Sequence, residues 1–418
     1  MTVLRLALAS LRNRWLTAGL TILAIAFSVM LLLGVEKVRH AAKSSFANTI
    51  SGTDLIVGAR SGGIQLLLYA VFRIGNATNN VSWRTYEHIA ARPEVDWIVP
   101  LTLGDTHRGF RVLGTSRAYF DHYRYGQKRP LQFATGAPFR NLYDAVIGAD
   151  VARALGYRVG SKLVVAHGSG GLPGTEHDDK PFTVAGVLAK TGTPVDRTVH
   201  VSMEAYEAIH IGWQTGTRQG TGAGVPPGRP DQLKPKTFTA ALVGLKSKLM
   251  IFQLQRHINT YRSEPLLAVM PALTLYELWD LVGTAETALL VISAMVVITA
   301  ILGMLTMILA TLNERRREIA ILRAMGAGPM TIVGLLVSEA TILTIAGVAV
   351  GVAATYVALA TMQPIVDAHY GLHLAIGAPS PTELWGIAAV IGAGVVAGLL
   401  PAWRAYRLSL ADGMMVRS

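Results

Sequence analysis

NERRREIAILRAMGAGPM, residues 313–330, lies between two long apolar runs. Residues 289–312 carry no charge, and neither do residues 340–366, which are interrupted only late, by Pro364. A hydrocarbon core of about 30 Å takes about 20 helical residues, so each run is long enough to cross a bilayer. A stretch with Arg315, Arg316, Arg317 and Arg323 between two such runs belongs at a membrane surface, and Lys and Arg are retained on the cytoplasmic side. Asn313 is placed as an N-cap, Glu314 in a first turn, and Gly326, Gly328 and Pro329 as a stop. Ile319, Leu322 and Met325 recur at i, i+3, i+6 as one apolar face. Glu314 with Arg317, and Arg315 with Glu318, are spaced for ion pairs. The pattern predicts a short, capped, two-faced helix joining two membrane helices. A topology anchor needs only the arginines, whereas a sharp stop and an apolar face suit docking to a second protein.

Two further uncharged runs, 16–35 and 384–403, bring the predicted spans to four, one early and three late. The composition agrees: 51% of the 418 residues are hydrophobic, only 15% are charged, and the mean hydropathy is +0.40. The first run is longer than the apolar core of a signal peptide, so it is expected to be retained. Arg5, Arg12 and Arg14 precede it, and Arg404, Arg407 and Arg417 follow the last run, while residues 367–383 hold no Lys or Arg. These asymmetries place residues 1–15, 313–330 and 404–418 in the cytoplasm and 36–284 outside. The three inner segments hold seven of the +12 net charge, leaving +5 for the rest, which removes the case for nucleic acid. Leu4, Leu8, Leu11 and Trp15 fall on one helical face, with Arg5 and Arg12 offset from them. Residues 1–15 are therefore expected to form an amphipathic helix along the inner surface. With no cysteine, disulfides and thiolate metal sites are excluded.

The outer region reads as α/β. TDLIV, VDWIVPL, RGFRVLG, SKLVVA, PFTVAGVL, RTVHVS and TFTAALVG are short, β-branched and bounded by turn residues. WRTYEHIAA, ADVARALG, SMEAYEAI and KSKLMIFQLQRHINTYR alternate with them as helices, which implies a sheet covered by helices. Residues 213–236, rich in Gly, Pro, Thr and Gln, are expected to be a mobile loop, and 273–284 a stalk continuing the second span, 285–312, outward. IQLLLYAVFRI, residues 64–74, is apolar apart from Arg73 and flanked by glycines. It predicts either core or an exposed contact surface, with Leu67 and Phe72 the residues that would make the contact.

Catalytic patterns are weak. There is no GxxxxGK[ST] and no Gly-Lys pair, so ATP cannot be held in the P-loop manner. His167, His177, Asp178 and Asp179 offer nitrogen and oxygen ligands, but their spacing fits no standard metal site, and a solvated hairpin loop with no metal is expected. Asp196 and Arg197 read as a turn and an ion pair, and no serine sits in a G-x-S-x-G context. In the third predicted span, 331–366, Glu339 should face protein, water or headgroups. Gly347 with Gly351, and Gly394 with Gly398, have the spacing that lets helices approach closely, within one chain or between two.

ERRREIAILRAMGA followed by IVGLLVSEATILTIAGVAVGV resembles the signature of MacB/FtsX/LolC-type permeases of ABC transporters. In the outer region AVIGADVARALGYRVGSKLVV, FTVAGVLAKTGTPVDRTVHVSMEAYEAI and TDLIVGARSG resemble that family's periplasmic core domain. The resemblance spans nearly the whole chain, 213–236 being the main departure. It implies an α-helical membrane protein with four transmembrane helices and a large α/β extracytoplasmic domain, in the bacterial inner membrane. It implies a non-catalytic permease that holds no cofactor itself, ATP and Mg being bound by a partner ABC ATPase. Docking would fall to Glu314, Arg315, Arg316, Arg317, Glu318, Ile319, Leu322, Arg323 and Gly326, with Glu339 seating the helix beside them. Other implied partners are a second permease copy or a related permease, a periplasmic adaptor or lipoprotein, and membrane lipid. Two outputs fit: export or extraction of a lipoprotein, lipid, peptide or hydrophobic drug, or FtsX-like signalling to a cell-wall hydrolase without transport. The family's use of loops near residues 64–74 to engage cargo favours the contact alternative for Leu67 and Phe72.

Overall fold

The computed structural model describes residues 2–168, 176–211, 233–314, 316–370 and 377–407. The chain divides into two compact units, one built from Met1–Ala41, Gly283–Ile365 and Leu374–Ser418, the other from Ala42–Val282 and Val366–His373. The mobile loop expected at 213–236 and the tail from 408 lie largely or wholly outside the described residues.

The first unit is helical. Helix α1 (Thr2–Asn13) is separated at Arg14 from α2 (Trp15–Thr49), so the two-faced N-terminal segment is a helix of its own. Leu4, Arg5, Leu6 and Leu8 are all exposed, Ala7 is buried, and Leu11 packs against the helical cluster. Among the described residues, four helices are long and apolar enough to cross a membrane: Trp15–Ala41, Pro271–Leu312, Pro329–Val366 and Pro381–Tyr406. Each contains one of the four uncharged runs, whose length bilayer thickness sets. Along all four, large apolar side chains such as Phe27, Ile298, Val357 and Leu400 remain exposed, as lipid-facing positions must.

The second unit is a ten-stranded mixed sheet with helices on both faces. In chain order it comprises β1 (Leu55–Ala59), α3 (Gly63–Leu67, continued by a π turn over Leu68–Phe72) and α4 (Trp83–Ala90). Next come β2 (Val95–His107), β3 (Phe110–Thr115), α5 (Ala118–His122), β4 (Phe133–Gly136), β5 (Asp144–Ile147), α6 (Ala149–Leu155), β6 (Lys162–Leu163) and β7 (Phe182–Leu188). Then follow β8 (Thr198–Ser202), α7 (Met203–His210), β9 (Ala240–Leu245), α8 (Ile251–Asn259) and β10 (Leu266–Val269), and the stalk opens α9 (Pro271–Glu314). The strand order is β10-β1-β9-β2-β3-β8-β5-β7-β4, with β6 paired to β7. The β8–β3 and β7–β5 pairs are parallel and the rest antiparallel.

Period-two alternation separates the two faces. Ile56, Val99, Leu113, Val146 and Leu242 pack with α3 and α5. Leu55, Val57 and Val243 pack with α4 and α8, while Val112, Ala145, Ile147, Val199 and Val201 pack with α6 and α7. With both faces covered, most central strands read as continuous apolar runs. A Cβ at Gly148 would overlap the Val195 and Asp196 carbonyls, so the β5–α6 turn requires glycine.

Candidate functional site

The segment joining α9 to the next span forms α10 (Arg316–Ala324), and α11 (Pro329–Tyr370) follows. The side chain of Asn313, expected as an N-cap, lies outside the described part, while its backbone belongs to α9. No proline or glycine interrupts α9 between Gly303 and Glu314, so its hydrogen-bond ladder continues through Asn313 and Glu314. Arg315 and the side chains of Glu314, Arg316, Arg317 and Glu318 lie outside the described part. The stop is as expected. Gly326 has φ +97°, its N–H donates to the Arg323 carbonyl at 3.0 Å, and the Ala327 N–H donates to the Leu322 carbonyl at 3.0 Å. This paired pattern closes a helix only where one residue can turn left-handed.

The apolar side of α10 divides between two environments. Ile319 is 5% exposed and packs among Ile308, Leu312, Ile332 and Leu336 of its own bundle. It is therefore not available for docking, which corrects that expectation, and Leu322 is half-buried. Ile321 and Met325, an i, i+4 pair, are 54% and 72% exposed. Sequence periodicity shows that a face exists but not which side the bundle covers.

The glycine pairs pack within the chain. A Cβ on Gly347 would stand 2.7 Å from the Ile25 side chain, and one on Gly351 2.7 Å from the Ala26 carbonyl, so α11 presses on α2. On α12 (Pro381–Arg407), Gly394 meets Thr344 and Gly398 meets Ala340 of α11. Glu339 is 4% exposed and faces protein, as an ionisable group on a spanning helix should.

Sequence reasoning missed the ion pairs at the other ends of these helices. Lys37 lies 3.2 Å from Glu383, tying α2 to α12, and Arg39 lies 2.9 Å from Glu286, tying α2 to α9. Glu383 also closes a capping box: its carboxylate accepts from the Ser380 N–H, and the Ser380 hydroxyl accepts from the Glu383 N–H. The signal was the S-x-x-E spacing and the charges beside the apolar runs.

In the sheet domain Leu66, Leu67 and residues 69–72 are core, while Gln65 and Ile74 are exposed. Leu67 is 1% and Phe72 7% exposed, which corrects their assignment as a contact surface: eleven mostly apolar residues gain more from burial against the sheet than from a water-exposed loop. Phe46 of α2 stacks on Phe72 at 4.4 Å and meets Trp279 of α9 edge-on at 5.6 Å. A cleft of about 500 Å³ opens beside them, lined by Ile251, Leu275, Tyr276 and Trp279 with Lys43, Lys128 and Lys248. In the TGTPVDRT turn, Asp196 accepts from the Thr191 and Gly192 amides at 2.8 and 2.7 Å, and Arg197 lies over the Phe110 ring. These roles are structural. Asp178 and Asp179 join no ligand cluster, whereas His167 and His177 meet two residues remote in sequence.

Four helices long and apolar enough to span a membrane, a mixed sheet domain between the first and second, and a short helix with a glycine stop between the second and third are the arrangement of the described residues. The chain belongs to the family of the MacB-like periplasmic core domain, whose family model matches residues 18–236, and the FtsX-like permease C-terminal model matches residues 290–410. Among solved structures, the periplasmic region of MacB from Actinobacillus actinomycetemcomitans aligns with 55% of this chain and 94% of its own, at 11% identity and TM-score 0.35. The extracellular domain of the noncanonic ABC-type transporter YknZ from Gram-positive bacteria aligns with 52% and 99%, at 13% identity and TM-score 0.30. No curated protein matches the chain.

Proposed function

We propose that this chain is the permease subunit of an inner-membrane ABC transporter, with both termini and α10 in the cytoplasm. A separate ATPase binds ATP and Mg and docks on α10, and the outer domain moves in response to export or extract a periplasmic or membrane-derived substrate. What supports this reading is the match of two family models, the MacB-like periplasmic core domain over residues 18–236 and the FtsX-like permease C-terminal over 290–410, with the short basic helix α10 between the second and third apolar helices. Four spans enclose little on their own, so a second copy or a related permease completes the assembly. The lysine-rimmed apolar cleft suits an amphiphile with an anionic head, such as a lipid or a lipoprotein's acyl end.

The test is purification of the full chain from native membranes. A stoichiometric ATPase whose hydrolysis responds to the permease supports the reading. A chain that copurifies with no ATPase under conditions that keep it folded contradicts it.

A further inference from the structure

Asp105, His167, His177 and His210 offer ligand atoms that all lie within 4.8 Å of one another. They come from three separate segments: Asp105 from β2, His167 and His177 from the stretches after β6 and before β7, and His210 from the last residue of α7. A backbone ladder fixes the first two segments, Thr106 pairing with Ala166 and Ala166 with Glu176, while the His177 N–H donates to the Val165 carbonyl at 2.8 Å. Three edges of the cluster measure alike. His167 Nδ1 is 3.2 Å from Asp105 Oδ1, His210 Nε2 is 3.3 Å from Asp105 Oδ2, and His210 Nε2 is 3.3 Å from His167 Nδ1. Ligands at about 2.0–2.1 Å from a tetrahedral zinc stand about 3.3–3.4 Å apart, the spacing of the two imidazole nitrogens, and each Asp105 oxygen lies at a similar distance from one of them.

Two further observations point inward. Asp105 is fully buried, and neither of its oxygens makes a hydrogen bond of regular geometry, although both face imidazoles. A buried carboxylate in that position needs a cation. His210 is oriented from behind: its Nδ1–H donates to the Tyr206 carbonyl at 2.7 Å, leaving the Nε2 lone pair aimed at the cluster. A second-shell carbonyl of this kind fixes the tautomer of metal-bound histidines. The side chain of His167, 43% exposed, leaves the cluster open to ions on one side.

We propose that Asp105, His167, His177 and His210 form a binding site for one zinc-type divalent cation in the outer domain. The expectation of no metal rested on local spacing, and the fold supplies the two missing ligands from β2 and α7. Imidazole nitrogens with one carboxylate, and no thiolate in the chain, select first-row divalent ions over calcium or magnesium. A bound ion would staple β2, the segments that carry His167 and His177, and the end of α7 together.

The test uses the full chain in detergent, stripped with chelator and titrated with zinc chloride alone. His257→Ala is included throughout, because the exposed His88–His257 pair, 3.4 Å apart, is a second place where two imidazoles meet. The expected result is one zinc per chain, lost or weakened at least 100-fold by His210→Ala and by His167→Ala. His167 lies at the rim, so its variant keeps the fold if His210→Ala does not. Cobalt should give the intense visible bands of a tetrahedral site, abolished by the same changes. Zinc binding no tighter than in the His167→Ala variant, or cobalt spectra of the hydrated ion, would overturn the proposal and leave an Asp–His ion pair.

Discussion

Changing Ile321 and Met325 together to Gln removes the exposed apolar face of α10 while keeping residues that favour helix. Neither side chain is in the buried cluster that holds Ile319, so the bundle should fold unchanged. Full burial of a side chain of this size is worth about 1.5–3 kcal/mol, and scaling by the fraction still exposed gives about 1–2 kcal/mol for each residue on docking. The exposures are 54% and 72%. Their joint loss should weaken association with the ATPase by about thirty-fold to several hundred-fold. The assay measures Kd between the detergent-solubilised permease, wild type or variant, and the ATPase that copurifies with the wild type. Circular dichroism and size-exclusion profiles verify that the variant is folded. A Kd within three-fold of wild type would refute the argument, because it would mean that α10 docks through other residues or does not dock.

Three other outcomes follow from the same geometry. Gly394→Val should lower the thermal stability of the purified chain by about 1–3 kcal/mol, since the new side chain overlaps Thr344. Gly392→Val, where nothing lies within 4 Å, is the control and should leave it unchanged. Glu383→Lys should destabilise the bundle by breaking a pair whose carboxylate side chain is 4% exposed, and Lys37→Glu added to it should restore part of the loss in a double-mutant cycle. His200 is held well below the usual imidazole range. Burial, then the nearby Arg73, push its imidazole down to about 3, whereas the unfolded chain binds that proton near pH 6.5. Between those values the unfolded state carries more protons, so stability falls with falling pH by up to about 1.4 kcal/mol per unit. His200→Phe should flatten that slope in urea unfolding monitored from pH 6.5 to 4.5, and an unchanged slope would assign the acid sensitivity elsewhere.

The membrane helices were legible because a single constraint, bilayer thickness, writes itself into a run of apolar residues. Strands such as Phe182–Leu188 were legible for a related reason, since residues of one strand see one local pattern. The order of the sheet was not, because each pairing joins residues far apart, as where Val199 sits beside both Val112 and Ile147. Short strands such as Leu266–Val269 escaped notice for lack of length. The sequence showed that α10 is two-faced, yet Ile319 and Ile321, two positions apart, ended in opposite environments. The histidine cluster was half visible. His167 and His177 drew attention by proximity, but Asp105 and His210 enter only through the fold, on a strand and a helix that no spacing rule connects.

The most direct test of ATP-driven motion exploits the absence of cysteine, which allows labels to be placed without background. Leu249→Cys in the outer domain and Trp385→Cys on α12 are both at exposed positions. Spin-labelled permease, reconstituted in nanodiscs with its ATPase, would be examined by pulsed electron resonance with ATP and a hydrolysis-deficient ATPase, and again after nucleotide removal. The account expects the distance distribution between the two labels to shift with nucleotide and the shift to vanish when Ile321 and Met325 are replaced by Gln. Identical distributions in both nucleotide states, in a complex that hydrolyses ATP, would contradict it.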